Sequence, residues 1–429
     1  MAPRPRRPRS TIREHLRDTL WFAPLAAMAA AWFAAVFSVA MDSVIVEAVR
    51  DAEPDYVASL TAFTSAAKGI ISAVTSAMLT FVGVVFSISL VALQMASSQF
   101  SPRVLRLYVR SRITKATLAI FLATFVFALN VQLGYDDTPG DEVTSVPLFS
   151  AAVALLLVHV SLVLFVLYVN STLRLMRVTF VMERIVAETM RTLRHWNAQT
   201  PPDGPLPEPV TVVGHDRRSG ALRDVNLSRL IRIARRYGVV VEVVPEVGDF
   251  LTTGTPVFRV HGTRVPPARR LTGCLSVGAE RSMHQDVGFG LRQLSDIAIR
   301  ALSPAVNDPT TAVTAIDRLQ QILAVVATEP DSDTAWLDRR GALRVVMPEP
   351  GFAGMVAQAF TEIRLCGRGQ PQVTRRLVAA LDDLEALAAG EHREPLREQR
   401  RLLTADVLAS VDAPGEQVFA LRPDRQGIS

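Results

Sequence analysis

Four uncharged stretches in the first 173 residues constrain the fold more than any other feature of this chain. Each is at least 20 residues long, and they cover residues 20–41, 69–101, 116–135 and 143–173. The hydrocarbon core of a bilayer, about 30 Å thick, is crossed by about 20 helical residues. Soluble core helices rarely stay uncharged on every face over that length. The sequence therefore predicts four membrane-spanning helices, at about 20–41, 70–96, 116–135 and 146–170.

The segments between these stretches alternate in charge. Residues 102–115 carry five bases and no acid, whereas residues 136–142 carry four acids and no base. Six arginines precede the first stretch, and residues 42–60 hold five acids and one base. Because Lys and Arg concentrate in cytoplasmic segments, we predict a multi-pass protein with both termini in the cytoplasm. A cleaved signal peptide is disfavoured, since the first apolar stretch is longer than a usual signal sequence.

After residue 173 the composition is mixed, with 33 bases and 30 acids. The fourth helix is predicted to continue to residue 196, and five prolines in residues 200–209 indicate a linker. β-branched runs and amphipathic patterns then predict a mixed α+β cytoplasmic region. The predicted domains are a basic cytoplasmic N-terminus (1–19), a four-helix transmembrane domain (20–173), a cytoplasmic helix with a Pro-rich linker (174–209), a small β-rich module (210–265), an α-rich cytoplasmic domain (266–410) and a tail (411–429).

Small and polar residues recur at intervals of three, four or seven along the second apolar stretch. Such spacing places them on one face of a helix. One interpretation is close packing between membrane helices, where small residues let backbones approach, and this is the favoured one. The other is a helix that lines a water-filled pathway. The pore-lining candidates are Ser72, Ser76, Thr80, Gly83, Ser87, Gln94 and Ser98.

A basic segment follows this stretch at residues 102–110. Pro102 fits the first turn of a new helix, and the arginines would share one face opposite an apolar one. Such a helix suits the inner membrane surface and its anionic lipid headgroups. An ordinary positive loop explains the same residues equally well. The membrane-surface candidates are Arg103, Arg106 and Arg110.

A second polar cluster is predicted in the cytoplasmic region. Arg292, Asp296 and Arg300 recur every four residues on a predicted helix, which favours a ladder of ion pairs. Asn307 and Asp308 follow, with Asp308 predicted to cap the next helix. These five residues could hold an anion or a partner at a helix N-terminus. A ladder plus a cap is the favoured interpretation.

Several kinds of chemistry are excluded by composition. No lysine follows Lys115, so the cytoplasmic region holds no Schiff-base, biotinylated or P-loop lysine. The seven histidines show no paired metal-ligand spacing, and the two cysteines are 92 positions apart. We therefore expect no metal, no cofactor and no enzymatic activity. The net charge of +5 is small for 429 residues, so we expect no nucleic-acid partner.

Two stretches resemble the signatures of a bacterial family of predicted membrane proteins, domain of unknown function 2254. They read FSISLVALQMASSQFSPRVL at residues 86–105 and DVGFGLRQLSDIAIRALSPAVNDPTTA at residues 286–312. The resemblance covers most of the chain. It implies a protein of the bacterial cytoplasmic (inner) membrane with a cytoplasmic C-terminal region, and it implies no activity.

Function therefore depends on the residues themselves. The favoured hypothesis is a membrane-anchored signalling, scaffold or envelope-homeostasis protein whose cytoplasmic region binds a protein or a small ligand. The alternative is an oligomeric channel or conduit lined by the second transmembrane helix. Four spans alone hardly enclose a water path, so this alternative requires a homo-oligomer.

Overall fold

The structure, a computed structural model, describes residues 21–52, 54–99, 111–135, 146–195, 206–328, 334–348 and 350–426. These residues form two compact units, with the main boundary between Arg177 and Val178. We call them the apolar unit (residues 22–177) and the mixed unit (residues 178–426). The predicted basic N-terminus and the segment with Arg103, Arg106 and Arg110 lie outside the described residues.

The apolar unit consists of four helices that are long and apolar enough to cross a membrane. Their candidate spans are 23 to 30 residues long and overlap the four stretches predicted from the sequence. Ser111 caps the third helix, because its hydroxyl accepts a hydrogen bond from the Thr114 amide. The helices are α1 (Phe22–Ala52), α2 (Pro54–Gln99), α3 (Arg112–Gly134) and α4 (Leu148–Leu175).

Alanine and phenylalanine side chains dominate the core of the apolar unit. Ala31 and Ala35 are buried on α1, and their small size allows close approach of the neighbouring helix. The Phe81 ring makes edge contacts with Phe121 and Phe165, at centroid distances of 5.9 and 5.6 Å. These contacts join α2, α3 and α4 through the face of α2 that carries Phe81.

The mixed unit contains two β-sheets. A five-stranded sheet has the order β1-β5-β3-β8-β7, in which β3 and β8 are parallel and the other neighbours antiparallel. A three-stranded antiparallel sheet has the order β4-β2-β6. The strands are β1 (Thr211–Gly214), β2 (Gly220–Val225), β3 (Val240–Val243), β4 (Phe250–Leu251), β5 (Pro256–His261), β6 (Leu275–Gly278), β7 (Thr334–Leu337) and β8 (Leu343–Met347).

One hydrophobic core joins residues of both sheets. Leu222 on β2 and Phe258 on β5 are fully buried in it, together with Val345 on β8. The five-stranded sheet thus takes two strands from the part predicted as α-rich, and it crosses the boundary predicted at residue 265. The sequence pattern is local, whereas the pairing of β3 with β8 joins residues about a hundred positions apart.

Nine helices complete the described part of the mixed unit. Asn226 caps the start of α6, because its side chain accepts a hydrogen bond from the Arg229 amide. Gly238, with a φ of +69°, follows the last residue of this helix. They are α5 (Val178–His195), α6 (Leu227–Tyr237), α7 (Ala268–Thr272), α8 (Val287–Ala301), α9 (Pro309–Val326), α10 (Phe352–Cys366), α11 (Pro371–Leu387), α12 (Arg393–Ser410) and α13 (Pro414–Leu421), with a short 3₁₀ turn at Gly390–His392.

Two segments differ from the expectation. The fourth helix does not continue to residue 196: α4 ends at Leu175, and α5 begins at Val178 as a separate helix. Residues 411–429 are not a simple tail, because they include α13, which packs against α11. Arg375 on α11 lies 4.4 Å from the Phe419 ring and donates to the Arg422 carbonyl. A buried arginine anchors this end of the chain, and such an anchor leaves little trace in local periodicity.

A close approach of α5 and α8 yields a prediction about stability. A Cβ on Gly290 would lie 2.0 Å from Thr189 Oγ1 and 3.0 Å from Thr189 Cβ. We expect Gly290→Ala to lower the unfolding free energy by about 1–3 kcal/mol, because the two helices must separate. The measurement is thermal unfolding of the purified protein. Gly354→Ala on α10 is the control: nothing lies within 4 Å of its Cβ, so it should not destabilise. Equal midpoints for the two variants would contradict the prediction.

Candidate functional site

The small and polar residues of α2 lie on the side of the helix that faces away from the other three. Ile71, Met78 and Val85 are buried and form the packing face of α2. At about 100° per residue, the polar residues lie about 180° from that face. The predicted residues with described side chains are all exposed: Ser72, Ser76, Thr80, Gly83, Ser87 and Gln94. The side chain of Ser98 lies outside the described residues.

Contacts among the residues that the structure describes do not explain this polar face. A Cβ on Gly69 or Gly83 would meet nothing within 4 Å, so these glycines do not permit a close helix approach here. The Thr80 hydroxyl donates to the Ser76 carbonyl of its own helix at 3.3 Å. The described residues of the apolar unit therefore give these side chains no packing role.

Other polar residues hold the apolar unit together from inside. Tyr168 on α4 is fully buried, and its hydroxyl donates to the Val85 carbonyl at 3.1 Å and lies 2.6 Å from Ser89 Oγ. The hydroxyls of Thr124 and Ser161 lie 3.2 Å apart between α3 and α4. Polar contacts between helices thus exist in this unit, but they use residues other than the predicted ones.

The sequence analysis missed Asp42, a carboxylate fully buried in the candidate span of α1. It accepts hydrogen bonds from the Phe149 and Ser150 amides (2.7 and 3.1 Å), from the Ser150 hydroxyl (2.5 Å) and from the Tyr135 hydroxyl (2.8 Å). The first turn of α4 has no side-chain cap of its own, since Pro147 precedes it. Asp42 therefore caps α4 from another helix. Asp42 directly follows the uncharged stretch 20–41, so the sequence analysis placed it in the acidic connecting segment 42–60.

Two further polar residues in the spans are satisfied locally. His159 on α4 is exposed, and its Nδ1 lies 2.7 Å from the Leu155 carbonyl of the same helix. The Asn130 amide donates to the Val126 carbonyl at 2.8 Å, again within one helix. Neither residue forms part of a site between helices.

In the mixed unit, Arg292 joins α8 to α10. Its Nε lies 2.7 Å from Asp296 Oδ1, which is the predicted pair four residues apart. Its two terminal nitrogens bond the Glu362 carboxylate on α10. The hydrogen bonds that Arg292 donates to Glu362 raise the pKa of Arg292 above its ordinary value. Arg292 thus serves packing between helices, which agrees with the favoured interpretation of a ladder.

The remaining predicted residues serve the start of α9. Asp308 accepts from the Thr311 amide at 3.0 Å and from the Thr311 hydroxyl at 2.6 Å, so it is the predicted cap. Asn307 has a φ of +48°, and its side-chain oxygen accepts from Gln370 at 3.1 Å. Arg292 and Asn307 bind different helices: Arg292 contacts α10, whereas Asn307 contacts the start of α11. Arg300, at the end of α8, also has an interaction partner.

The sequence analysis did not find a cavity of about 630 Å³ between α10, α11, α12 and α13. Its lining combines charged with apolar side chains, and four separate helices contribute to it. No local pattern predicts such a space, because it forms only when the helices pack. The residues that line it include Arg364, Arg368, Thr374, Leu403, Asp406, Val407, Phe419 and Ala420.

Two arginines share one carboxylate in this cavity. Arg364 Nη1 and Arg368 Nη2 both bond Asp406, the second at 2.6 Å. The buried Nε of Arg364 makes no hydrogen bond within the described part of the chain. Asp412 and Glu416 also line the cavity, but both are exposed to solvent. The lining thus holds two arginines and three carboxylates, and Arg368 is exposed like Asp412 and Glu416.

Comparisons with known proteins show what the chain resembles. The profile of a family described as "Predicted membrane protein (DUF2254)" matches residues 17–383. Uncharacterized proteins of Mycobacterium tuberculosis and Mycobacterium bovis are 29% identical to it over 378 residues, which cover 84% of this chain and 70% of each relative. No solved structure matches the chain.

Proposed function

Since the chain belongs to the family of predicted membrane proteins called domain of unknown function 2254, we propose that several copies assemble in the bacterial inner membrane into a conduit lined by α2. Both termini and the mixed unit are then cytoplasmic, as the charges of the connecting segments favour. In this proposal the role is non-enzymatic. The partners are lipids, including anionic headgroups, and further copies of this chain; nucleic acid is not a partner.

The observation that carries this proposal is the exposed polar face of α2. A stripe of serine, threonine and glutamine side chains directed at lipid tails has no water to bond, and only bonds within the helix, such as that of Thr80 to the Ser76 carbonyl, can satisfy it. Packing among the described helices of one chain leaves these side chains exposed, so close helix packing, the interpretation favoured from the sequence, would have to occur between copies. If copies assemble around a central path, water in that path would hydrate the polar side chains of α2. If they assemble without a path, these side chains would form hydrogen bonds between copies.

The test is electrical recording from the purified protein in liposomes, with suction applied in steps. We expect discrete unitary currents. If protein that is shown to be assembled gives no currents at any voltage or tension, the conduit is excluded and only the assembly of copies remains of the proposal. The variant that separates the two is argued in the Discussion.

A second candidate function is a membrane-anchored sensor, scaffold or signalling protein whose mixed unit binds a small ligand. The cavity between α10 and α13 favours it. Two arginines that share the Asp406 carboxylate lie beside Leu403, Val407 and Phe419, and this combination suits an apolar molecule with one carboxylate. Arg368, about half exposed, could bond such a carboxylate without rearrangement of the core.

Octanoate is a suitable probe of this cavity. We expect it to raise the thermal midpoint of the full chain in lipid nanodiscs more than octanol does, because only the carboxylate can pair with arginine. Arg368→Gln should remove the difference. Arg397→Gln is the matched control, since Arg397 is similarly exposed and also pairs with one carboxylate, Glu385. Equal shifts of the thermal midpoint with octanol and octanoate would show that the cavity does not recognise a carboxylate.

A further inference from the structure

Two segments of the mixed unit contain arginines but no acidic residue. Residues 225–241 hold four arginines, and residues 250–279 hold another four, with neither Asp nor Glu in either segment. The region 174–429 as a whole carries nearly equal numbers of bases and acids. The excess of positive charge is therefore concentrated on the elements that these two segments form.

The helix α6 separates its arginines from its buried side. Leu230 and Ala234 are buried in the core that joins the two sheets. At about 100° per residue, the four arginines of α6 centre on the opposite side of the helix. All four are exposed: Arg229, Arg232, Arg235 and Arg236.

The short helix α7 adds two exposed arginines beside α6. Arg229 Nη1 donates to the Gly273 carbonyl at the end of α7, at 3.2 Å. Arg270 Nη1 donates to the Tyr237 hydroxyl at the end of α6, also at 3.2 Å. Arg269 is exposed on the same short helix. We call the resulting surface the α6–α7 basic face; it consists of Arg229, Arg232, Arg235, Arg236, Arg269 and Arg270.

The described structure gives none of these six arginines an ion pair. Other arginines of the unit do pair with carboxylates, as Arg292 does with Glu362 and Arg376 with Asp317. The acceptors that Arg229 and Arg270 do find are a carbonyl and a hydroxyl, which leave their charge uncompensated. The basic face thus presents six positive charges to whatever lies against it.

We propose that the α6–α7 basic face docks on an anionic phospholipid bilayer by binding headgroup phosphates. Charge complementarity and tethering carry this inference: candidate spans on the same chain keep a bilayer permanently within reach. Single-stranded nucleic acid is the other polyanion to consider, and its binding uses exposed aromatic rings for base stacking. Tyr237, the aromatic residue on α6, is half-buried and bonded to Arg270. This docking does not require that copies of the chain form a conduit.

The test uses the full chain in liposomes, with a fluorescent label on α6. In a Cys366→Ser background, Ser228→Cys carries the label beside the arginines. Cys274 is buried, and burial raises its pKa to about 11, so it stays an unreactive thiol at neutral pH. The readout is quenching of the label by lipids with a nitroxide on the headgroup. We compare phosphatidylcholine vesicles with vesicles of phosphatidylcholine and phosphatidylglycerol in equal amounts.

We expect strong quenching in the anionic vesicles only, and its loss at high salt. Arg235→Gln with Arg236→Gln should lower the ratio of docked to undocked protein by about fivefold per arginine removed. The double variant Arg339→Gln and Arg340→Gln is the matched control, because it removes the same charge from two adjacent exposed arginines between β7 and β8.

Three results would overturn the proposal. One is equal quenching in neutral and anionic vesicles. Another is an equal loss of quenching in the two double variants, which would indicate net charge rather than this face. The third is binding of oligouridine RNA that requires Arg235 and Arg236 while lipid quenching does not, which would assign the face to nucleic acid.

Discussion

Replacing Ser76, Thr80 and Ser87 together with leucine is expected to reduce flux through the reconstituted protein to the level of protein-free liposomes. The three side chains lie on the exposed polar face of α2, about 180° from its packing face. Leucine adds bulk and removes the hydroxyls, so a path lined by this face would narrow and lose the groups that hydrate it. The four helices should fold as before, because none of the three residues is buried in the chain.

The control for this variant places three leucines on another exposed apolar surface. Val160, Val163 and Val166 are exposed on α4, and their triple change to leucine should leave flux unchanged. Single-channel recording measures flux, and cross-linking measures assembly for both variants. Full flux in the α2 variant would exclude α2 as the wall of a path. Loss of assembly in it, with loss of flux, would make the polar face a contact between copies instead.

The sequence predicts well whatever depends on local order. Uncharged length predicted four spans, and each lies in one long helix. Asn226 and Gly238 bound α6, and Asp308 caps α9, as capping preferences predict. The pair Arg292 and Asp296 forms because four residues make about one helical turn.

The features missed from the sequence all depend on contacts between distant segments. Periodicity identified the polar face of α2, but it could not tell whether that face points inward or outward; burial of Ile71 and Met78 decides it. The cavity near Arg364 needs four helices, and the strand pair β3 and β8 joins two predicted domains. The polar cluster at Arg292 and Asn307 looked continuous in sequence but divides between different partner helices.

Replacing Asp42 with alanine is expected to lower the unfolding free energy of the apolar unit by at least about 3 kcal/mol. The carboxylate accepts four hydrogen bonds, three of them from residues in the first turn of α4. Its removal leaves two amides and two hydroxyls without an acceptor in a buried place, and each unsatisfied group costs about 1–3 kcal/mol unless it finds a new partner. Asp42→Asn should lower the unfolding free energy by less than Asp42→Ala does, because the amide keeps one acceptor oxygen.

Thermal or denaturant unfolding in detergent measures this effect, followed by the fluorescence of the apolar unit. Glu47→Ala is the matched control: Glu47 lies on the same helix and is exposed, so its change should stay within about 0.5 kcal/mol. Tyr135→Phe removes one of the four donors and should cost about 1 kcal/mol by itself but almost nothing when Asp42 is already alanine. Equal stability of the Asp42→Ala and Glu47→Ala variants would mean that Asp42 does not cap α4, and the junction of α1 with α4 would then depend on apolar packing alone.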